Sequence, residues 1–408
     1  MIPLEEAQAA VLGSIRRLGP ETVELADAVH RVVAEDVVAR ENIPPFANSA
    51  MDGYAVQGSD VAKPGALLRV IGEVSAGHAG DYQIEAGSAV KIMTGAPMPL
   101  GADTVVRIED TERLEDLVKV VVSVPAGKSV RAAGSDVPMG TPVFVRGTRL
   151  QATHLGVLAT IGSTRPSVSR RPRVALLSTG DELASASAAV LRPGQIRDSN
   201  RVLLKALLSE VATVLDQGII RDNPVDLHAA FARAAAESDV VVSSGGVSMG
   251  DYDHVRDVLD DLGAVDFWRV AIKPAKPFAY GTLAGVPFFG LPGNPVSAAV
   301  AFEQLVRPAL LAMQSATKLF RPRVRALAGE KISSDPDRLE FLRVRLHLDA
   351  RDRLIARSSG GQGSHVLSGL AAADGFGLIP VGTEEIRAGQ SLTIELFRAP
   401  ETRSWMDD

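Results

Sequence analysis

After Pro3, the apolar residues Leu4, Ala7, Val11, Ile15 and Leu18 recur at helical spacing, which predicts an opening helix. A short β-like piece and a second helical piece over roughly 26–38 follow. The pattern then changes. From 42 to about 145, short apolar runs such as 67–71, 89–93 and 104–108 alternate with Gly, Pro and Asp, which predicts an all-β or mostly β insertion. Residues 153–161 read as helix again. They lead into a basic, proline-containing stretch, 165–172, whose arginines read as a solvated connector.

The third region is of another kind. Runs at 174–177, 213–220, 240–242 and 267–272 read as strands, with helical stretches at 200–210, 224–237 and 252–262 between them. That alternation predicts βαβ units and a parallel sheet. Pro295 at a first helical position, with Asn294 as candidate N-cap, starts a long apolar helix to about 313. Beyond 321, alternating segments at 341–348 and 392–397 indicate a small β-rich closing domain. The expected architecture is therefore multidomain α/β plus β. It has a discontinuous helical linker domain (1–42 and 143–168), a β-rich inserted domain (43–142), a central doubly wound α/β domain (169–316) and a C-terminal β domain (317–408).

Composition narrows the function classes. With 408 residues, 46% hydrophobic and 23% charged, the chain is ordinary globular material of several domains. A net charge of -6 argues against a nucleic-acid partner. Cys is absent, which excludes thiolate metal sites and disulfides and fits a reducing, cytoplasmic setting. Glu5 and Glu6 and the lack of an apolar stretch exclude a signal peptide in the first residues. No uninterrupted apolar run reaches the roughly 18 residues of a spanning helix, so no membrane role is expected.

Chemistry gathers where strands end. Ser243-Ser244-Gly245-Gly246-Val247-Ser248-Met249-Gly250-Asp251-Tyr252-Asp253 joins a strand to a helix. Its glycines allow close backbone approach, and amides at a helix start suit an anion. Ser178-Thr179-Gly180-Asp181-Glu182 and Lys273-Pro274-Ala275-Lys276-Pro277 follow two other strands. Ligands of open α/β sheets bind at this carboxyl edge. Asp181, Glu182, Asp251 and Asp253 are hard oxygen donors suited to Mg²⁺, and Lys273 and Lys276 are point charges for anions. Gly290-Leu291-Pro292-Gly293-Asn294-Pro295-Val296-Ser297 adds a second helix start, with the Ser297 hydroxyl as a donor. Each motif alone has a plainer reading. Asp181, Glu182, Asp251 and Asp253 also serve as helix-terminal acids, the lysines as solvated turn residues, Asn200 and Asn294 as caps, and Asp52-Gly53 as a hairpin turn.

Several stretches taken together resemble one family. Pro44-Pro45-Phe46-Ala47-Asn48-Ser49-Ala50-Met51-Asp52-Gly53-Tyr54-Ala55, Met93-Thr94-Gly95-Ala96-Pro97, the Thr-Gly-Asp-Glu element, the glycine loop, the double Lys-Pro element and Leu291-Pro292-Gly293-Asn294-Pro295-Val296-Ser297 occur in the order of the molybdopterin molybdenumtransferase (MoeA) family. The E domain of gephyrin is its equivalent. The resemblance implies a four-domain fold, with a central domain like that of the related molybdopterin adenylyltransferase, which it also implies as a pathway partner. It also implies an elongated homodimer in which the insertion of one subunit faces the third region of the other. The implied reaction transfers molybdate into adenylylated molybdopterin with release of AMP, a divalent cation assisting. Position by position, it assigns catalytic roles to Asp52, Thr94, Asp136, Glu182, Asp222 and Asp253. Substrate-binding roles fall to Ser244, Gly245, Gly246, Ser248, Lys273, Lys276, Pro292, Asn294 and Ser297, with Arg343 and Ser364 as molybdate-side contributors. Asp136 otherwise reads as part of a surface turn, and Asp222 as helix entry. Two positions depart from the pattern: Ala275 and His30 stand where the family often has Gly. A non-catalytic pterin-binding scaffold and a metal-dependent phosphoanhydride hydrolase are the alternative function classes.

Overall fold

A computed structural model describes residues 1–78, 80–246 and 254–400. Helix α1 (Leu4–Ser14) buries Leu4, Ala7 and Val11, the stripe that the spacing predicts. That stripe does not join the linker segment with which residues 1–42 were grouped. It packs among Val174, Leu176, Leu305 and Leu310 of the central domain, and the Ile2 amide donates to the Arg269 carbonyl at 2.9 Å. The helix expected over 26–38 is also absent. A single 3-10 turn (Leu25–Asp27) is followed by His30 at φ 64°, and Val32 and Val33 then bridge to Arg149 and Val168. A left-handed residue followed by β-branched side chains ends helical propagation. His is among the side chains that enter this region most readily, which explains its tolerance where a glycine was expected.

The insertion is a six-stranded sheet. It contains β1 (Gly53–Val56), β2 (Leu67–Val74), β3 (Ser88–Ile92), β4 (Thr104–Arg107), β5 (Thr111–Leu114) and β6 (Leu117–Val120), in the spatial order β4-β1-β3-β2-β6-β5 with open edges at β4 and β5. Asp52-Gly53 is not a hairpin turn. Gly53 opens β1 between Ile92 and Arg107, and a Cβ there would overlap the Val106 carbonyl oxygen. Linker helix α2 (Ala152–Thr160) appears where predicted. The basic stretch after it is not a solvated connector. Ser167–Ser169 pairs with Pro20–Thr22, the Arg170 guanidinium forks onto Asp239 with two bonds of 2.8 Å, and Arg171 reaches the Glu210 carbonyl at 3.5 Å.

The central domain contains β7 (Arg173–Thr179), α3 (Ser199–Ser209), β8 (Thr213–Ile220), α4 (Pro224–Glu237), β9 (Val240–Ser244), α5 (His254–Leu262), β10 (Gly263–Arg269), the short β11 (Ile272–Lys273), β12 (Pro277–Leu283) and β13 (Val286–Leu291). The sheet order is β8-β7-β9-β13-β12-β10. It is mixed, not wholly parallel: β8, β7, β9 and β13 are parallel, and β12 runs against both β13 and β10. Alternate residues face opposite layers. Val174, Leu176, Val240 and Val242 meet one apolar cluster with α3, while Ala175, Leu177 and Val241 meet a second with α4 and α5. Both faces are thus covered, as a doubly wound domain requires.

Helix α6 (Pro295–Met313) is long and apolar enough by length and composition to cross a membrane, yet 94% of its apolar window is buried inside the protein. A π turn at Phe302–Val306 precedes Pro308, whose ring has no N–H for the ladder. The last domain contains β14 (Arg323–Ala328), β15 (Leu339–Leu348), β16 (Leu354–Ser358), α7 (Leu367–Ala371), β17 (Gly375–Ile379) and β18 (Ser391–Leu396). The strands β15-β16-β14-β18-β17 close on themselves through β15–β17 pairing, forming a barrel. The barrel docks through Arg321, which forks onto buried Glu303 of α6 at 2.9 and 2.9 Å, and through Gln304 with Glu395. It also captures β11: Ile272 and Lys273 pair in parallel with Leu339 and Glu340 of β15.

Gly53→Ala is expected to destabilise the inserted sheet by about 1–3 kcal/mol, because the methyl group meets backbone and not a flexible side chain. An unchanged urea midpoint for the variant would show that β1 and β4 separate without cost.

Candidate active site

Two antiparallel steps, β13 to β12 and β12 to β10, return β10 to the direction of β7, β9 and β13. Their carboxyl ends therefore share one edge of the sheet. Along it lie Thr179–Glu182, Ser244–Gly246, Leu291–Ser297 and the lysine element. From β9 to β10 is three interstrand spacings, about 14 Å.

The glycine loop is built by close contacts. Gly245 has φ 96° and donates to the Leu291 carbonyl at 3.1 Å; a Cβ on it would stand 2.6 Å from the Thr179 carbonyl oxygen. Gly246, at φ 66°, lies against Val255 of α5. Asn200 ties the edge together. Its Nδ2 donates to Ser244 Oγ and to the Gly293 carbonyl, both at 2.8 Å. The capping role that the sequence offers Asn200 belongs to Asp198, whose carboxylate accepts the Arg201 amide at 3.0 Å. These residues line a cavity of about 90 Å³ with Thr179, Glu182 and Pro295. Among the described residues, Thr179 Oγ1 and Asn200 Oδ1 are buried without a protein partner, the kind of orphan that a polar ligand satisfies.

The acids occupy the same edge. Asp181 and Glu182 are exposed after β7, and Asp181 Oδ1 accepts the Asp222 amide at 3.2 Å. Helix entry does not account for Asp222, because Asn223 is the N-cap of α4 and accepts the Asp226 amide at 2.9 Å. Ser248, Asp251 and Asp253 lie outside the described residues. Among the described residues, no three His, Asp or Glu side chains form a ready metal cluster.

On the lysine side, Ala275 has φ 84° and is buried, so the backbone keeps the left-handed turn that a glycine would adopt freely. An L-residue there carries strain of about 1–2 kcal/mol. Lys276 is exposed, whereas Lys273 Nζ lies 3.2 Å from Glu340 Oε1 on β15. Asn294 occupies the N-cap position of α6, though its side chain makes no capping bond, and Ser297 is buried in the first turn.

Arg343, expected as a molybdate-side contributor, is fully buried. Its guanidinium donates to the carbonyls of Gly361 at 2.9 Å and Gly363 at 3.2 Å, and its backbone is bracketed by the Gln362 amide. Burial lowers its pKa, with Glu340 opposing the shift. It anchors the loop that carries Ser364, whose carbonyl accepts the Val296 amide at 3.1 Å beside Ser297.

Asp52, Thr94 and Asp136 all belong to the inserted domain. Asp52 Oδ1 accepts both the amide and the hydroxyl of Thr94 at 2.7 Å. The amide first and the hydroxyl second hold its carboxyl below the usual range. Asp136 is exposed on a loop whose amides dock onto the carbonyls of Ile43 and Pro44 at 2.9 Å. These bonds stay within the insertion. The described members of the expected set lie on the carboxyl edge, in the inserted domain, and in the last domain, which supplies Arg343 and Ser364. Asn200 and Glu340 were not singled out as ligand-side residues from the sequence, because their partners lie 44 and more positions away.

Comparison with known proteins covers the whole molecule. Residues 2–162 match the model for the MoeA N-terminal region (domain I and II), 175–312 that of a probable molybdopterin binding domain, and 325–397 the MoeA C-terminal region (domain IV). A molybdopterin molybdenumtransferase of Haemophilus influenzae is 37% identical over 401 residues, covering 97% of this chain and 99% of that protein. Molybdopterin molybdenumtransferase 2 of Mycobacterium tuberculosis is 36% identical over 405 residues, with 97% and 99% covered. The molybdopterin biosynthesis MoeA protein of Pyrococcus horikoshii superposes with a TM-score of 0.84 at 29% identity, with 97% of this chain and 100% of that chain covered.

Thr94→Val should raise the Asp52 pKa while leaving it below the usual range, because the larger amide contribution remains. Both bonds favour the carboxylate, so the stability they lend is present above the unfolded-state pKa and lost as pH falls through the folded one. A carboxyl NMR titration that returns the wild-type value would refute this account. Arg343→Ala should destabilise the barrel by about 3 kcal/mol and speed amide exchange across residues 359–366. Exchange confined to other segments would show that the guanidinium does not anchor this loop.

Proposed function

Because the chain belongs to the molybdopterin molybdenumtransferase family, we propose that it transfers molybdate into adenylylated molybdopterin with release of AMP. The observation that carries this reading is one sheet edge bearing glycine turns, exposed carboxylates and two lysines together. The phosphoanhydride lies along the glycine loop, where backbone amides and the Ser244 hydroxyl meet its oxygens. Lys273 and Lys276 hold anionic oxygens as point charges, and the Ser297 hydroxyl at the start of α6 donates to the same group. Arg343 acts from beneath, by fixing the loop of Ser364.

Asp181 and Glu182, with Asp251 and Asp253, are the residues that would hold Mg²⁺. The donor chemistry fits: all are hard carboxylate oxygens, and the Glu182 carboxylate makes no hydrogen bond among the described residues. When bound, the cation would neutralise phosphate charge as AMP departs. Pterin sulfurs belong to the substrate, so the absence of Cys is no obstacle.

We further propose a cytoplasmic homodimer, supplied with substrate by a molybdopterin adenylyltransferase. In it the Asp52–Thr94 pair and Asp136 of one inserted domain would face the carboxyl edge of the second copy. Among the described residues their hydrogen bonds stay within the insertion, which supports this arrangement.

The test is AMP release from adenylylated molybdopterin with Mg²⁺, with and without molybdate, scoring molybdenum in the pterin. Molybdate-dependent AMP release with metal incorporated is expected. Release without molybdate would indicate a hydrolase, and tight binding without release a scaffold. Glu182→Gln should keep the wild-type melting temperature and lose Mg²⁺-dependent turnover; turnover at the wild-type rate would remove Glu182 from the site.

A further inference from the structure

Lys273 and Lys276 flank a single turn, yet they stand in opposite electrostatic settings. Lys276 is exposed and makes no ion pair among the described residues. Lys273 is tied to another domain. Its backbone extends the barrel at β15, in register with Glu340, and its ammonium lies 3.2 Å from that residue's carboxylate. Glu340 is itself 5% exposed, and its second oxygen accepts the Ser334 hydroxyl at 2.6 Å. The neighbouring carboxylate whose charge reaches Lys273, Asp335, is engaged by Arg338 at 2.6 Å. Glu340 is thus a fixed countercharge, clamped from both sides and shielded from water.

We propose that Glu340 is a positioning and affinity-setting residue for Lys273: it aims the ammonium and limits how much of its charge an incoming oxyanion receives. This rests on the reading of Lys273 as an anion-binding residue. A carboxylate in contact with an ammonium, in a setting less polar than water, cancels much of its field. A dianion approaching Lys273 therefore meets a partly neutralised cation held in a fixed direction. Lys276 has no such countercharge among the described residues and is exposed, so its charge is not neutralised in this way. The two lysines divide the work, one attracting and one orienting. Because Glu340 belongs to β15 and Lys273 to the central domain, docking of the barrel sets the anion affinity of the crevice.

Two substitutions at Glu340 should act in opposite directions. Glu340→Gln keeps an acceptor for Lys273 and a partner for Ser334 but removes the charge. It should lower the KM for molybdate about threefold to tenfold in the AMP-release assay, with a reduced melting temperature, because the buried Arg343 guanidinium loses the carboxylate charge that opposes its desolvation. Glu340→Ala removes the aim as well, and should raise that KM. A Ser334→Ala variant, which leaves the carboxylate with Lys273 as its main partner, should raise the KM about twofold and serves if Glu340→Gln does not fold. Unchanged KM in the Gln and Ala variants, or a rise in both that follows their loss of stability, would overturn the proposal. Lys273→Ala is the separate control. If it leaves molybdate KM untouched, the anion-binding reading of Lys273 fails; if it raises KM while Glu340→Gln has no effect, only the role of Glu340 fails.

Discussion

A sheet covered by helices on both faces has only its ends available for chemistry. In the central domain, α3 and α6 seal one face and α4 and α5 the other, so strand direction alone decides which polar loops share an edge. Three strand ends, and the return of β10 to the same direction, bring glycine turns, carboxylates and lysines to one rim. The other domains depend on this core: α1 packs into it, and the barrel clamps its long helix through Arg321 and Glu303. Buried fork-to-carboxylate bonds of this kind fix register more than they add net stability.

The barrel contributes less through contact area than through backbone. Lys273 is held by a strand pair that crosses a domain boundary, and the loop of Ser364 is held by a guanidinium that, among the described residues, donates to carbonyls and to no carboxylate. One terminal nitrogen of the guanidinium donates to both carbonyls, while Nε is buried without a partner among the described residues. Both sides of the crevice are thereby supported from behind by groups that do not face it.

Much of this was legible in the chain. The helix at 224–237 is read to the residue from its pattern, although the capping residue proves to be Asn223 and not Asp222. The convergence of the glycine loop, Asp181-Glu182 and the lysines follows from strand order in the α/β pattern. What the pattern misses has a common cause. β12 and β13 are largely buried and interrupted by Gly281, Gly285 and Pro287, so neither alternation nor clean punctuation marks them. The valines at 32–33 follow a left-handed His30 that periodicity does not register. Asn200, Glu340 and the inward turn of Arg343 depend on partners far along the chain or across a domain boundary. The arginines at 170 and 171 look like solvated charges until Asp239 and Glu210 are brought beside them.

The two β domains solve the problem of unpaired strand edges differently. The barrel closes on itself and has no free edge apart from the stretch of β15 taken by β11. The inserted sheet stays open at β4 and β5, and Leu114 at the end of β5 is exposed. Its protection is ionic: Glu112 pairs with Lys119 across β5 and β6, and Arg107 at the far edge pairs with Asp110. Charged side chains on an open edge oppose the addition of a further strand from another molecule. High salt screens such surface charges, and would weaken that guard on the insertion without touching the fold of the core.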